Sequence, residues 1–156
     1  MVEAFNSFTP PVHIIATDLD TSVLAHAEAG IYAMERLDKM PQDRIQRFFT
    51  RGNGKQEGHA IVRPELRKMI TFRQINLLHD NWPLRAPFDA IFCRNVMIYF
   101  DKPTQRRILE KFVPLLRPDG LLFAGHSESF HHAADQFKLV GNTVYQVADK
   151  TKAYRS

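Results

Sequence analysis

The stretch Pro87–Phe100, PFDAIFCRNVMIYF, constrains the fold more than any other part of the chain. Phe88 to Cys93 reads as a buried strand that stops abruptly at two polar residues, Arg94 and Asn95; a second apolar run then ends in Tyr99 and Phe100. In open α/β sheets, ligands bind in the crevice beyond the carboxyl ends of the strands, so Arg94 and Asn95 are the first candidates for chemistry.

The flanking sequence supplies the other pieces of such a sheet. Val12–Asp18 (VHIIATD) is a short continuous apolar run, the pattern of a strand buried on both faces, with Asp18 at its end. Asp20-Thr21-Ser22 offers N-cap oxygens to a helix carrying Val23, Leu24 and Ala27, and Gly30 is its natural stop. From Ile31 to about Met69 the pattern changes. Gln42–Phe49 predicts a short amphipathic helix with Ile45, Phe48 and Phe49 inward, and Gly52, Gly54 and Gly58 mark tight turns. Strands around Ala60–Arg63 and Thr71–Ile75 predict a small antiparallel element, an insertion whose open edge suits an extended peptide. The core resumes over Phe72–Leu77, which turns polar at Asn76. A helix is expected over Lys102–Leu116 with Ile108, Leu109, Phe112, Leu115 and Leu116 on one face, then a turn at Arg117-Pro118-Asp119-Gly120 and a strand over Leu121–Ala124. Phe137–Val140 and Thr143–Val147 flank Gly141-Asn142 as a closing β-hairpin. The order predicts an α/β sheet that is parallel apart from one antiparallel strand.

Composition narrows the class. A length of 156 residues, 44% of them hydrophobic, suits one domain with a real core. There is no apolar run of roughly 18 residues, and MVEAFNSFTPP lacks the basic start and apolar core of a signal peptide, so the expected location is the cytoplasm, without membrane insertion. The single cysteine, Cys93, makes no internal disulfide or cysteine-based metal cluster and reads as an inert strand residue. The net charge of +4 is spread along the chain rather than clustered, which argues against nucleic-acid partners.

ATDLD, the Arg51–Gly58 glycine loop, Asn76-Leu77-Leu78, CRNVMIYFDK, LLRPDGLLFAGHSES and the final hairpin together resemble the CheR-type chemoreceptor methyltransferases. The resemblance covers nearly the whole chain. It implies methyl transfer from S-adenosylmethionine to receptor glutamates, on an incomplete Rossmann-like methyltransferase sheet with a β-subdomain inserted at about 43–70. It also implies site roles: Asp18 on the ribose hydroxyls, Asn76 and Leu77 on the adenine side, Asn95 and Val96, beside Arg94, on the methionine portion, and Arg94 with Tyr99 in catalysis. Arg51, Gly52, Gly54, Gly58 and Arg63, with Arg47, would then meet the receptor's C-terminal peptide. Read as residues alone, Asp18 and both asparagines are equally turn formers, Arg94 a surface ion pair and Tyr99 a core aromatic.

A glutamate with a pKa near 4.3 is already an anion at neutral pH, so the demand on the enzyme is alignment and water exclusion. A planar guanidinium such as that of Arg94 orients a carboxylate well. Tyr99 can donate its phenol hydrogen or present an aromatic face to a sulfonium. His126, Ser127 and Glu128 are too close in sequence to converge as a hydrolase triad, and no G-x-S-x-G elbow is present. His131-His132 without spaced ligands reads as a solvated turn.

No glycine-rich nucleotide turn precedes Val12. The resemblance places a helical domain, a first strand with that turn, and most of the next helix ahead of this point, with that strand lying between those ending at Asp18 and Arg94. Each unpaired buried backbone group costs about 1 to 3 kcal/mol against a domain stability of about 5 to 15. The expectation is therefore a chain that folds poorly alone, aggregates, or folds with a complementing fragment. The alternative function is a non-catalytic fragment that binds the receptor tail.

Overall fold

In a computed structural model, which describes residues 1–154, the chain divides into two units, Met1–Asn76 and Leu77 onward. The first opens with a one-turn helix, α1 (Val2–Phe5), closed by left-handed Asn6. β1 (Ile14–Asp18) then pairs in parallel with β5 (Ile70–Gln74), Ile14 opposite Ile70 and Asp18 opposite Gln74. Between them runs α2 (Thr21–Ala29). As its cap residues predict, the Asp20 carboxylate accepts from Ser22 N at 2.7 Å, and Gly30 ends the helix at φ +63°.

A three-stranded antiparallel sheet follows, with β4 (His59–Val62) between β2 (Ile31–Ala33) and β3 (Phe49–Arg51). Helix α3 (Gln42–Phe48) runs directly into β3, and α4 (Pro64–Arg67) follows β4. Two expectations are corrected in this unit. Thr71–Ile75 does not join Ala60–Arg63 in an antiparallel element; β5 pairs with β1 instead, because β-forming composition marks a strand without naming its partner. Nor is β1 buried on both faces. Ile14 is 42% exposed, Thr17 and Asp18 are exposed, and α2 has no buried residue. A strand with one neighbour, beside a helix that buries nothing, has too little around it to exclude water.

The second unit holds a sheet of order β6-β7-β9-β8, formed by β6 (Phe88–Cys93), β7 (Leu116–Ala124), β8 (Phe137–Gly141) and β9 (Val144–Val147). β6 and β7 are parallel, and β9 is antiparallel to both its neighbours, the single reversed strand that the sequence predicts. Helix α5 (Lys102–Phe112) is capped by Asp101, which accepts from Thr104 N at 2.9 Å. Its Ile108, Leu109 and Phe112 join Met97, Leu116, Leu122, Phe130, Phe137, Tyr145 and Val147 in one core cluster.

The helix ends earlier than expected. Pro114 cannot continue an α-helix, so Val113–Leu115 tightens to a 3-10 turn and Leu116 already opens β7. Arg117-Pro118-Asp119-Gly120 is accordingly no turn before a strand but a bulge inside one: Phe88 faces Leu116, whereas Ala90 faces Leu121. Gly120 sits in a tight place there: a Cβ would lie 3.1 Å from the backbone of Arg117, so the neighbouring chain would have to shift. β6 is also less buried than its composition suggests. Phe92 is 70% exposed and stacks on Phe123, with 4.5 Å between ring centroids. Among the described residues β1 pairs only with β5 and β6 only with β7, so each keeps an open edge. No described helix is long and apolar enough to cross a membrane.

Candidate functional site

The polar end of β6 becomes a shaped ledge. After Cys93 the chain turns through Asn95, which adopts φ +60°, and enters a 3-10 turn over Met97–Tyr99. Met97 is fully buried, while Arg94, Asn95, Val96, Ile98 and Tyr99 are exposed. Arg94 makes no hydrogen bond or ion pair with any described residue, so it is not the surface ion pair that its type alone allows. Tyr99, 80% exposed, is no core aromatic. Cys93 is 7% exposed, and burial first, then the charge of Glu128, pushes its thiol up to about 12. It is the inert strand residue that the sequence predicts.

Two side chains beneath the ledge escape sequence reasoning. Glu128, 6% exposed, accepts from Asn95 N and Val96 N at 3.0 Å, from Met97 N at 2.8 Å, and from Gly125 N. Gln105 of α5, also 6% exposed, donates through Nε2 to the carbonyls of Met97 at 2.8 Å and Phe100 at 2.9 Å. The sequence signal for Glu128 is its place in the GHSES run, three residues beyond Gly125 at the end of β7. His126 and Ser127 are exposed and neither hydrogen-bonds to Glu128, so the triad is absent in space as well.

The remaining cofactor candidates divide between the units. Leu77 lies in the second, half-buried against the core, and its carbonyl accepts from Lys111 Nζ at 3.3 Å. Asp18 and Asn76 lie in the first. Asp18 is exposed at the end of β1 and uses one carboxylate oxygen, which accepts from Asp20 N at 2.9 Å.

Taken singly, each group has binding chemistry: the solvent-facing Asp18 carboxylate can accept from hydroxyls, and the Asn95 side-chain amide can both donate and accept. One refinement follows. The backbone N–H groups of Asn95 and Val96 are taken by Glu128, so these two residues can serve a ligand only through their side chains and carbonyls.

On the inserted sheet, Arg51 is exposed in β3 and makes no hydrogen bond or ion pair with a described residue. Gly52 donates to the His59 carbonyl at 2.8 Å, and a Cβ on it would lie 2.1 Å from the Gln56 carbonyl oxygen. Gly54 and Gly58 take positive φ. The other arginines are occupied: Arg47 lies over the rings of Phe8 and Phe48 at 5.9 and 5.5 Å, and half-buried Arg63 donates to the Gln46 carbonyl at 3.1 Å.

Comparison with known proteins adds an independent line. A family model described as "CheR methyltransferase, SAM binding domain" matches residues 1–146. The chemotaxis protein methyltransferase 2 of Pseudomonas aeruginosa is 57% identical over 148 residues, which is 95% of this chain and 53% of that protein. The chemotaxis protein methyltransferase of Klebsiella aerogenes is 58% identical over 130 residues (83% of this chain, 45% of that protein). That of Escherichia coli is 53% identical over 135 residues (86% and 47%). The chain spans about half the length of the curated relatives it matches.

Proposed function

Because the chain belongs to the CheR methyltransferase family, within its S-adenosylmethionine-binding domain, we propose that it serves the methylation of glutamate side chains on the cytoplasmic domains of bacterial chemotaxis receptors. The products are γ-glutamyl methyl esters and S-adenosylhomocysteine, the thioether left when the sulfonium gives up its methyl group. S-Adenosylmethionine, the family's cofactor, supplies an electrophilic methyl group when bound. In this reading Asp18 holds the ribose, Asn76 and Leu77 the adenine side, and Asn95 with Val96 the methionine portion. Arg94 orients the incoming carboxylate by paired hydrogen bonds, and Tyr99 donates to the same group or packs against the sulfonium.

The observation that carries this reading is the ledge itself: a guanidinium and a phenol, both exposed and bonded to no described side chain, on backbone that is tied down from beneath. Such groups are available to a substrate without first breaking another contact. Arg94→Ala in a full-length methyltransferase carrying these residues is expected to cut turnover by about 100-fold or more, the scale of losing a positioned charge-assisted contact, with cofactor affinity nearly unchanged. Near-normal methylation would remove Arg94 from the mechanism.

One observation favours a second reading, a receptor-tail-binding role without catalysis. Among the described residues β2 and β3 each pair only with β4 and so leave an outer edge, and Arg51 on β3 makes no hydrogen bond or ion pair with a described residue. A peptide with acidic residues could add to such an edge through its backbone. Capture of a receptor-tail peptide by the 156-residue chain, with no methyl transfer and no heat on titration with S-adenosylmethionine, would favour this role over catalysis.

A further inference from the structure

Glu128 is a buried carboxylate with no ion-pair partner among the described residues. A buried charge is costly unless it is fully hydrogen-bonded, and this one meets that demand with backbone alone: the N–H groups of Asn95, Val96, Met97 and Gly125. Three consecutive N–H groups converge on one carboxylate only if the chain curls around it, with left-handed Asn95 at φ +60° followed by right-handed Val96 at φ −117°. Asparagine is among the few non-glycine residues that adopt the first of these conformations readily, so the sequence permits the curl and the anion holds it.

Gly125 completes the fit. A Cβ there would lie 2.6 Å from Glu128 Oε2 and 2.7 Å from Asn95 Oδ1. From the opposite side, Gln105 fixes the carbonyls of Met97 and Phe100. Between Asn95 and Phe100 both kinds of backbone group are thus pinned by side chains from two other places in the sequence, while Arg94 and Tyr99 project into solvent.

We propose that Glu128, supported by Gln105, is a positioning residue for methyl transfer. It fixes the ledge from which Arg94 and Tyr99 reach the substrate, so that these two long exposed side chains start from a rigid base. The proposal rests on the reading of Arg94 and Tyr99 given above.

The test compares Glu128→Gln with the parent in a full-length methyltransferase carrying these residues, reading amide hydrogen exchange and steady-state kinetics together. The amide of glutamine turns one acceptor oxygen into a donor facing N–H groups, without changing size. Exchange at Asn95, Val96 and Met97 should accelerate while β7 and β9 stay protected. Turnover should fall about 10- to 100-fold, the size of losing one hydrogen bond to a charged group, with KM for the receptor changed less than about threefold. If Glu128→Gln opens the whole sheet, Gly125→Ala, which crowds the carboxylate without discharging it, is held to the same criteria. Unchanged exchange at 95–97, or faster exchange with turnover within twofold of the parent, would overturn the proposal. Failure of the underlying reading looks different: Arg94→Ala would then leave turnover intact, whatever the exchange of the ledge.

Discussion

β1 (IIATD) and β6 (FDAIFC) read alike as sequence, each a short apolar run closed by a polar residue, yet the two units give them different support. β1 has one partner and a helix that buries nothing. β6 also has one partner, but β7, β9 and α5 behind it carry a cluster in which Met97, Leu109, Leu116 and Leu122 are entirely buried. The polar ends differ accordingly. Asp18 is held by a local turn contact, whereas the Arg94–Phe100 ledge is held by side chains more than 30 residues downstream and by the neighbouring helix. A site residue is only as fixed as the core beneath it.

The largest expected break in this comparison comes from the cores. Leu109→Ala removes a fully buried side chain and should cost about 2 to 5 kcal/mol. Val23→Ala, on the exposed face of α2, should stay within about 0.5 kcal/mol. Urea denaturation of both variants checks this, and equal losses would mean that α2 is packed after all.

A smaller effect sharpens the picture at Cys93. Its thiol is raised by burial, and then by Glu128, to about 12 from an ordinary value of 9.0. The folded state therefore holds this proton more tightly than the unfolded one. That contribution is complete below pH about 9 and is lost as pH rises towards 12. Thiol labelling at pH 8 should be slow in the native chain and fast in urea; rapid native labelling would place Cys93 at the surface.

The smallest effects are at the helix caps. Contacts from the side chain and then the backbone of Ser22 lower the Asp20 carboxyl, and those of Thr104 lower Asp101. Each cap stabilises above the ordinary carboxylate range and is lost as pH falls through its lowered value. In circular dichroism at low pH, Asp101→Asn should flatten the loss of helix signal from α5. Asp20→Asn should leave global unfolding unmoved, because α2 is not part of the core.

What the sequence makes legible follows from how local the cause is. The Asp20 cap, the Gly30 stop, the closing hairpin and the strand ending at Cys93 are set by residues within a few positions of one another. Partner choice is not. Nothing near Thr71 distinguishes pairing with β1 from pairing with β4, and the bulge at Arg117–Gly120 depends on Phe88 lying across from Leu116. Glu128 stayed hidden for another reason. Its partners are backbone N–H groups, which every residue but proline carries, so no side-chain pattern announces them.

The family resemblance carried by CRNVMIYFDK and GHSES did point to both ends of that contact. It did not say that the second motif holds the first in place. The expectation of poor folding alone also sharpens: β1 and β6 are among the strands that keep an open edge, but the second unit carries a core of its own.

Native-state hydrogen exchange, read residue by residue on the 156-residue chain, tests the central contrast most directly. Strong protection is expected at β7 and β9 and at the amides of Asn95, Val96 and Met97, with β1 and β5 exchanging close to the rate of an open chain. Amides of β1 exchanging as slowly as those of β7, or a fast-exchanging ledge above a protected sheet, would contradict it.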